Sequence, residues 1–204
     1  MIVLDKKFLK PSKPSRILAL LENLNSDPSL SQAELAQKCA LSGAMVNKYL
    51  HELRENKMLN VTPVNGKSFA YHLSDLGEQT RQLFFEEYST ELVQLYSALK
   101  KLIRDKINLL VQQGQTRFVL FGASETCEIA LSAIRELDLR VVAIVDNDRN
   151  KHGQNFNGHI ISPPLVLEQL AFDAAIITTF ARQKEILDQI SPLAQKLHFN
   201  IARL

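Results

Sequence analysis

The residues with the clearest chemical meaning are Gly122-Ala123-Ser124-Glu125-Thr126-Cys127, which follow the apolar run Arg117 to Gly122 and precede a helical stretch, Ala130 to Leu137. A glycine turn between a strand and a helix aims backbone N–H groups and the positive end of the helix dipole at one point, where a phosphate can be received. Asp146 closes the next apolar run, Val141 to Asp146, and stands 24 positions beyond Gly122. At that distance a carboxylate can accept from a ribose hydroxyl. Ser124 and Cys127 occupy the places of the second and third glycines of G-x-G-x-x-G. A Cβ at Ser124 obstructs close backbone approach to a pyrophosphate, but its hydroxyl and the helix N-terminus could still bind one phosphate or another anion. The plainer alternative is a domain that merely keeps the turn.

Other chemistries find no support in residue type and spacing. Cys39 and Cys127 lie far apart with no partner pattern, so they read as small buried side chains rather than a disulfide or metal ligands. His51 and His72 read as surface or hairpin histidines, and no His/Cys/Asp/Glu cluster suggests a metal. Ser124 has no His and Asp in a motif context for nucleophilic catalysis, and Glu125 and Glu128 are explained by the dipole of the helix they open. The expectation is a protein that is not an enzyme.

The elements that must position these residues change character along the chain. Leu59 to Val64 and Phe69 to Leu73 alternate like two strands around Asn65-Gly66, a strong tight-turn dipeptide. Before them come three helical segments. Arg16 to Leu24 follows the start signals Pro14 and Ser15, Ser31-Gln32-Ala33-Glu34 is a capping box opening a helix that ends near Cys39, and Ala44 to about Asn56 places Val46, Leu50 and Leu53 on one side. Helix, short turn, helix, then hairpin is the outline of a winged helix-turn-helix. From Asp75 to about Gln113 there is no proline, and apolar residues recur every three or four positions. One helix, or two broken near Ser89-Thr90, so long and so apolar needs a partner surface, most simply the same helix of a second subunit. Beyond it, strands at 117–122, 141–146 and 174–179, with a possible last strand at 199–204, alternate with helices at 130–137, 165–170 and 183–197. That pattern means a parallel sheet covered on both faces, with strands enough for about one mononucleotide-binding half.

Composition sets the outer bounds. The 204 residues are 46% hydrophobic and 23% charged with a formal net charge of +2, which fits neither disorder nor a membrane span. Met1 to Leu4 is followed at once by Asp5, Lys6 and Lys7, so no signal-peptide core can be drawn and a cytoplasmic protein is expected. The small net charge is an average over unlike parts. Residues 1–70 hold 10 basic and 6 acidic side chains, residues 71–116 hold 5 and 6, and residues 117–204 hold 9 and 10. A positive excess confined to the N-terminal part is a modest electrostatic footprint for nucleic acid.

Two resemblances add to this reading. Ser31-x-x-Glu34-Leu35-Ala36, Leu41-Ser42-x-x-x-Val46-x-x-x-Leu50-x-x-Leu53 and Tyr71-x-Leu73-Ser74-x-x-Gly77 resemble bacterial winged helix-turn-helix regulators, the MarR-like group in particular, over about 70 residues. The resemblance implies that Ser42, Ala44, Asn47, Lys48 and His51 face the major groove of double-stranded DNA and that Lys67 on the wing meets phosphate or minor groove. Lys57 stands where the family usually has glycine, and Asn56 could supply the left-handed conformation instead. In the C-terminal part, Val145-Asp146-Asn147-Asp148, then Lys151, Gly153 and Gly158-His159-Ile160-Ile161, then Asp173-Ala174-Ala175-Ile176-Ile177-Thr178 resemble the nucleotide-binding domain of Rex-type redox-sensing repressors. They look equally like the Rossmann domains attached to nucleotide-sugar-modifying enzymes of polysaccharide biosynthesis. This implies NAD(H) or a nucleotide sugar as effector at Gly122, Ser124 and Asp146, without a metal.

Together these readings predict an α/β chain: a winged helix (α+β) over residues 1–74, a long connecting and dimerisation helix over 75–116, and a C-terminal Rossmann-like parallel sheet with helices on both faces over 117–204. The expected function is a homodimeric transcriptional regulator with no membrane partner. The alternative is a non-DNA-binding accessory protein or subunit of nucleotide-sugar metabolism.

Overall fold

In the computed structural model, residues 10–65, 68–137 and 139–204 are described, and they divide into two compact units that meet in sequence at Gln94 and Leu95. The N-terminal unit contains α1 (Lys13–Ser26), α2 (Gln32–Lys38), α3 (Gly43–Glu55), β1 (Leu59–Asn65), β2 (Ser68–Leu73) and the first half of α4 (Asp75–Gln112). Its helices start where side chains can satisfy the first backbone N–H groups. Ser12 Oγ accepts from Ser15 N (3.3 Å) with Pro14 already inside α1, which begins at Lys13, three residues earlier than the sequence pattern predicts. Ser31 Oγ accepts from Glu34 N (3.3 Å) while Glu34 Oε2 accepts from Ser31 N (2.8 Å), a complete capping box. Ser31→Ala is therefore expected to cost about 1 kcal/mol, read as a lower urea midpoint of this unit, and an unchanged midpoint would contradict it.

The end of α3 differs from expectation. Asn56 stays at φ −81°, and Lys57 itself takes φ +59°. Lys57 N donates to Arg54 O (2.9 Å) and Met58 N to Leu53 O (2.9 Å), the paired bonds that close a helix through a left-handed residue. The position, not the residue type, demands this conformation, because the chain must reverse at once into β1. The strands pair antiparallel from Leu59 with Leu73 to Asn65 with Ser68, with an irregularity between Pro63 and Asn65. Leu20, Leu21, Leu35, Val46 and Leu53 form the centre of the core, closed by Leu59, Tyr71 and the half-buried Phe84 of α4.

The C-terminal unit holds the rest of α4 and β3 (Arg117–Phe121), α5 (Glu125–Glu136), β4 (Arg140–Val145), β5 (Asn155–Phe156), β6 (His159–Ser162), β7 (Ala174–Ile177), α6 (Gln183–Leu197) and β8 (Asn200–Arg203). The stretch expected as a helix near 165–170 is a 3-10 helix, Pro164–Gln169. Six strands lie in the order β5-β6-β4-β3-β7-β8, parallel except for β5. The β5–β6 hairpin was not predicted from sequence. Its strands are too short to show alternation, and it turns through Asn157 and Gly158, both at positive φ.

Alternate residues of each strand serve opposite faces. Phe118, Leu120, Ile144, Ala174 and Ile176 pack with Ile103 and Ile107 of α4 and with α5, while Val119, Phe121, Val145, Ala175 and Ile177 pack with the 3-10 helix and α6. Burial on both faces explains why these strands read as unbroken apolar runs. Asp173 locks the start of the sheet, accepting from Thr116 N (2.9 Å) and Arg117 N (2.8 Å) and pairing with the Arg117 guanidinium (2.7 Å). The Arg117 hydrogen bond leads the effects that hold its carboxyl down at about 2. Among the described residues no helix is long and apolar enough to cross a membrane.

Candidate nucleic-acid interface and ligand cleft

In the N-terminal unit α3 is two-faced. Val46, Tyr49, Leu50 and Leu53 are buried, and Ala44, Asn47, Lys48, His51 and Arg54 are exposed along one strip. Steps of three and four residues put them on a single side of the helix. Ser42 sits at its head, where its hydroxyl oxygen accepts from Met45 N (3.3 Å), so its first role is to cap the helix. Lys67 lies outside the described residues.

Two residues from outside α3, Gln32 and Phe69, join this surface. Gln32 of α2, Arg54 and the half-exposed Phe69 of β2 line a depression of about 180 Å³ together with Asn47 and His51, and Gln32 Nε2 donates to Tyr71 Oη (3.3 Å) at its edge. Arg54 was findable in the sequence, since it stands seven positions after Asn47. Gln32 and Phe69 were not, because only the tertiary fold brings α2 and β2 beside α3.

In the C-terminal unit a cleft of about 230 Å³ opens beyond the carboxyl ends of β3, β4 and β7, and Gly122, Ser124 and Asp146 all line it. The strand order explains the opening. The chain leaves β3 toward β4 on one side and returns to β7 on the other, so the connections diverge between β3 and β7. Gly122 has φ +106°, a conformation that favours glycine, and a Cβ there would also sit tightly against Thr179 Cγ2, at 3.3 Å. Thr178, fully buried, holds the turn: its hydroxyl lies 2.9 Å from Phe121 O and 2.7 Å from Gly122 O.

The two polar residues picked from sequence are already engaged. Ser124 Oγ does not cap α5 but donates to Thr178 O (3.0 Å), tying the β3 turn to β7. Asp146 Oδ2 accepts from Ala123 N (2.8 Å) and Lys151 Nζ (3.1 Å), and Oδ1 accepts from Asp148 N (2.8 Å). Burial works to raise this carboxyl, but the bonds from Asp148, Lys151 and Ala123 prevail and hold it below the usual carboxylate value. Asp146 thus shapes the cleft, with one oxygen left only partly used. Lys151 also donates to Ala123 O (2.8 Å), and the exposed Arg182 adds a second cation at the rim. Asn147 and Gln189 exchange amide hydrogen bonds (2.8 and 3.1 Å) and so link the β4 loop to α6.

Sequence reasoning did not identify Thr178, Lys151 or Arg182 as site residues; Thr178 and Lys151 lay within the quoted pattern without an assigned role. Cys127, buried behind the turn, has its thiol pushed up to about 12, chiefly by desolvation. Among the described residues no group of three or more His, Cys, Asp or Glu side chains is placed to hold a metal ion.

Comparison with known proteins matches the two units separately. Residues 15–58 match the family described as winged helix-turn-helix DNA-binding, and residues 114–196 match the family described as C2185-like, N-terminal. No curated protein matches the chain. Among solved structures, Sso10a-2, a DNA-binding protein from Sulfolobus solfataricus, is 21% identical over 45% of this chain and 93% of its own, with a TM-score of 0.38. MepR, a transcription regulator of the Staphylococcus aureus multidrug efflux pump MepA, is 18% identical over 48% and 76%, with a TM-score of 0.37. UDP-D-quinovosamine 4-dehydrogenase from Vibrio fischeri is 24% identical over 44% and 78%, with a TM-score of 0.37. The three helices and hairpin of the N-terminal unit form a winged helix-turn-helix, and the match to the winged helix-turn-helix family falls on α1 to α3.

Proposed function

We propose that this protein is a DNA-binding transcriptional regulator whose C-terminal unit is a Rossmann-like sensor of a nucleotide-type metabolite, NAD(H) or a nucleotide sugar, and that it works as a homodimer through α4. One observation carries the DNA reading: the exposed strip Ala44, Asn47, Lys48, His51 and Arg54 on the third helix of a winged helix-turn-helix. Such a helix enters the major groove, where an amide side chain can pair with adenine and a cation with guanine or phosphate. Support for the sensor comes from the cleft at the carboxyl ends of parallel strands, with a glycine turn, a helix N-terminus and two cations beside it. Its 230 Å³ is below the roughly 300–1,000 Å³ of sites that enclose a whole ligand, so it suits one part of a nucleotide with the rest at the open mouth. To regulate, the ligand must favour one DNA-binding state over the other, typically by about 1–3 kcal/mol.

Titration of labelled duplex DNA with the full chain at several salt concentrations tests the first half. Lys48→Ala is expected to weaken binding uniformly across sequences and to lower the salt slope by about 1, whereas Asn47→Ala relaxes sequence preference at a cost of about 1–3 kcal/mol. Absence of any salt-sensitive binding would overturn the regulator reading. Calorimetry with NADH, NAD and UDP-sugars tests the second half. A UDP-sugar bound by a chain that ignores DNA would mark an accessory protein of nucleotide-sugar metabolism instead.

A further inference from the structure

α4 carries a second apolar edge of which the C-terminal core uses only Leu99. From Phe85 to Leu109, positions at alternating steps of three and four are held by Phe, Tyr, Leu, Leu, Leu, Leu, Lys and Leu. This is the spacing of a coiled-coil seam, sustained for more than three heptads. Phe85, Leu92, Leu95, Leu102 and Leu109 on that seam are between 44% and 62% exposed, whereas Ile103 and Ile107, just off it, are buried in the C-terminal core.

Charge along the same helix is strongly divided. Residues 75–94 hold five acidic side chains against Arg81 alone, and residues 95–112 hold Lys100, Lys101, Arg104 and Lys106 against Asp105 alone. A parallel pair would set acid on acid and base on base, and would bring Lys106 against its own copy inside the seam. An antiparallel pair centred near Ser97 opposes the acidic half of each helix to the basic half of the other. It also sets Phe85 opposite Leu109, Leu92 opposite Leu102 and Lys106 opposite Tyr88, which leaves no cation facing a cation in the seam.

We propose that α4 takes a second copy of this chain and pairs with it antiparallel about Ser97. The proposal rests on the dimer reading above and adds its surface, direction and register. Single and paired cysteines in the full chain test it, since a disulfide needs Cα atoms within about 7 Å. The native Cys39 and Cys127 are both buried, which keeps them out of the experiment. Leu92→Cys combined with Leu102→Cys is expected to give a covalent dimer on mild oxidation, as is Phe85→Cys combined with Leu109→Cys, whereas Ser97→Cys is not, because Ser97 lies on the side of the helix opposite the seam. Leu109→Cys alone is not, because in this register its own copy lies roughly 36 Å away along the helix. Light scattering on each reduced variant supplies the mass. A covalent dimer from Leu109→Cys alone overturns the direction and leaves the dimer standing. A dimeric mass with no disulfide from any variant overturns α4 as the surface, and a monomeric mass at tens of micromolar overturns the dimer reading itself.

Discussion

Replacing Gly77 with alanine is expected to destabilise the N-terminal unit by about 3 kcal/mol, at the upper end of what overpacking costs. Gly77 lies in the first turn of α4, and an added Cβ would fall on the carbonyl oxygen of Met58, with the carbonyl carbon 3.1 Å away. The clash is with backbone, so no side chain can swing aside. That carbonyl already accepts from Ser74 N (3.0 Å), while Ser74 Oγ donates to Lys57 O (2.7 Å) and accepts from Gly77 N (3.1 Å). These bonds clasp the start of α4 to the residues that enter the wing. Alanine gains about 1 kcal/mol of helix propensity over glycine, which is too little to offset the clash. Thermal unfolding followed by circular dichroism should show a clear drop in Tm. Gly43→Ala, where a Cβ meets nothing within 4 Å, should leave Tm unchanged or higher and serves as the control. A Gly77→Ala protein as stable as the parent would refute the close approach of α4 to Met58.

Asp146→Asn should produce the second large effect, a loss of about 2–3 kcal/mol from the C-terminal unit at neutral pH, because one buried and two half-buried donors lose a charged acceptor. The carboxylate serves Ala123 N, Asp148 N and Lys151 Nζ at once, and an amide can accept with only one of its two heads. The pH dependence follows from the direction of its shift. The folded carboxyl titrates below its unfolded value, so the stabilisation is fully present above the unfolded value of about 4 and disappears as pH falls through the lowered folded value. Urea midpoints of parent and Asp146→Asn should therefore differ widely at pH 7 and converge in acid. A gap that stays constant with pH would show that the carboxylate charge is not what holds the turn. Ligand affinity should fall as well, through distortion of the Gly122 turn, even if the ligand never touches Asp146.

Much of the fold was readable from short-range patterns. The capping box at Ser31, the step-of-two alternation on either side of Asn65, and the apolar runs at Phe118 to Phe121 and Ala174 to Ile177 each reflect a rule acting over a few residues. The misses have physical causes of their own. Lys57 adopts a left-handed conformation that its residue type disfavours, because the turn into β1 imposes it. The β5–β6 hairpin turns through Asn157 and Gly158 and is anchored by the pairing of β6 to β4, neither of which leaves a periodic trace.

The candidate cleft shows the division most clearly. Residue type and spacing were enough to single out Gly122, Ser124 and Asp146, since a glycine turn after a strand and an acid closing the next strand are local signals. What each atom does was decided elsewhere in the chain. Ser124 is spent on Thr178, 54 residues away, and Asp146 on Ala123, 23 residues back. Lys151 and Arg182 reach the rim only because β4 and β7 flank β3 in the sheet. Periodicity and capping are properties of neighbouring residues, so the sequence by itself determined the elements and the candidate positions. Hydrogen-bond partners and burial depend on which distant strands and helices come together, so the tertiary structure alone decided which of those positions remain open to a ligand and which hold the site in shape.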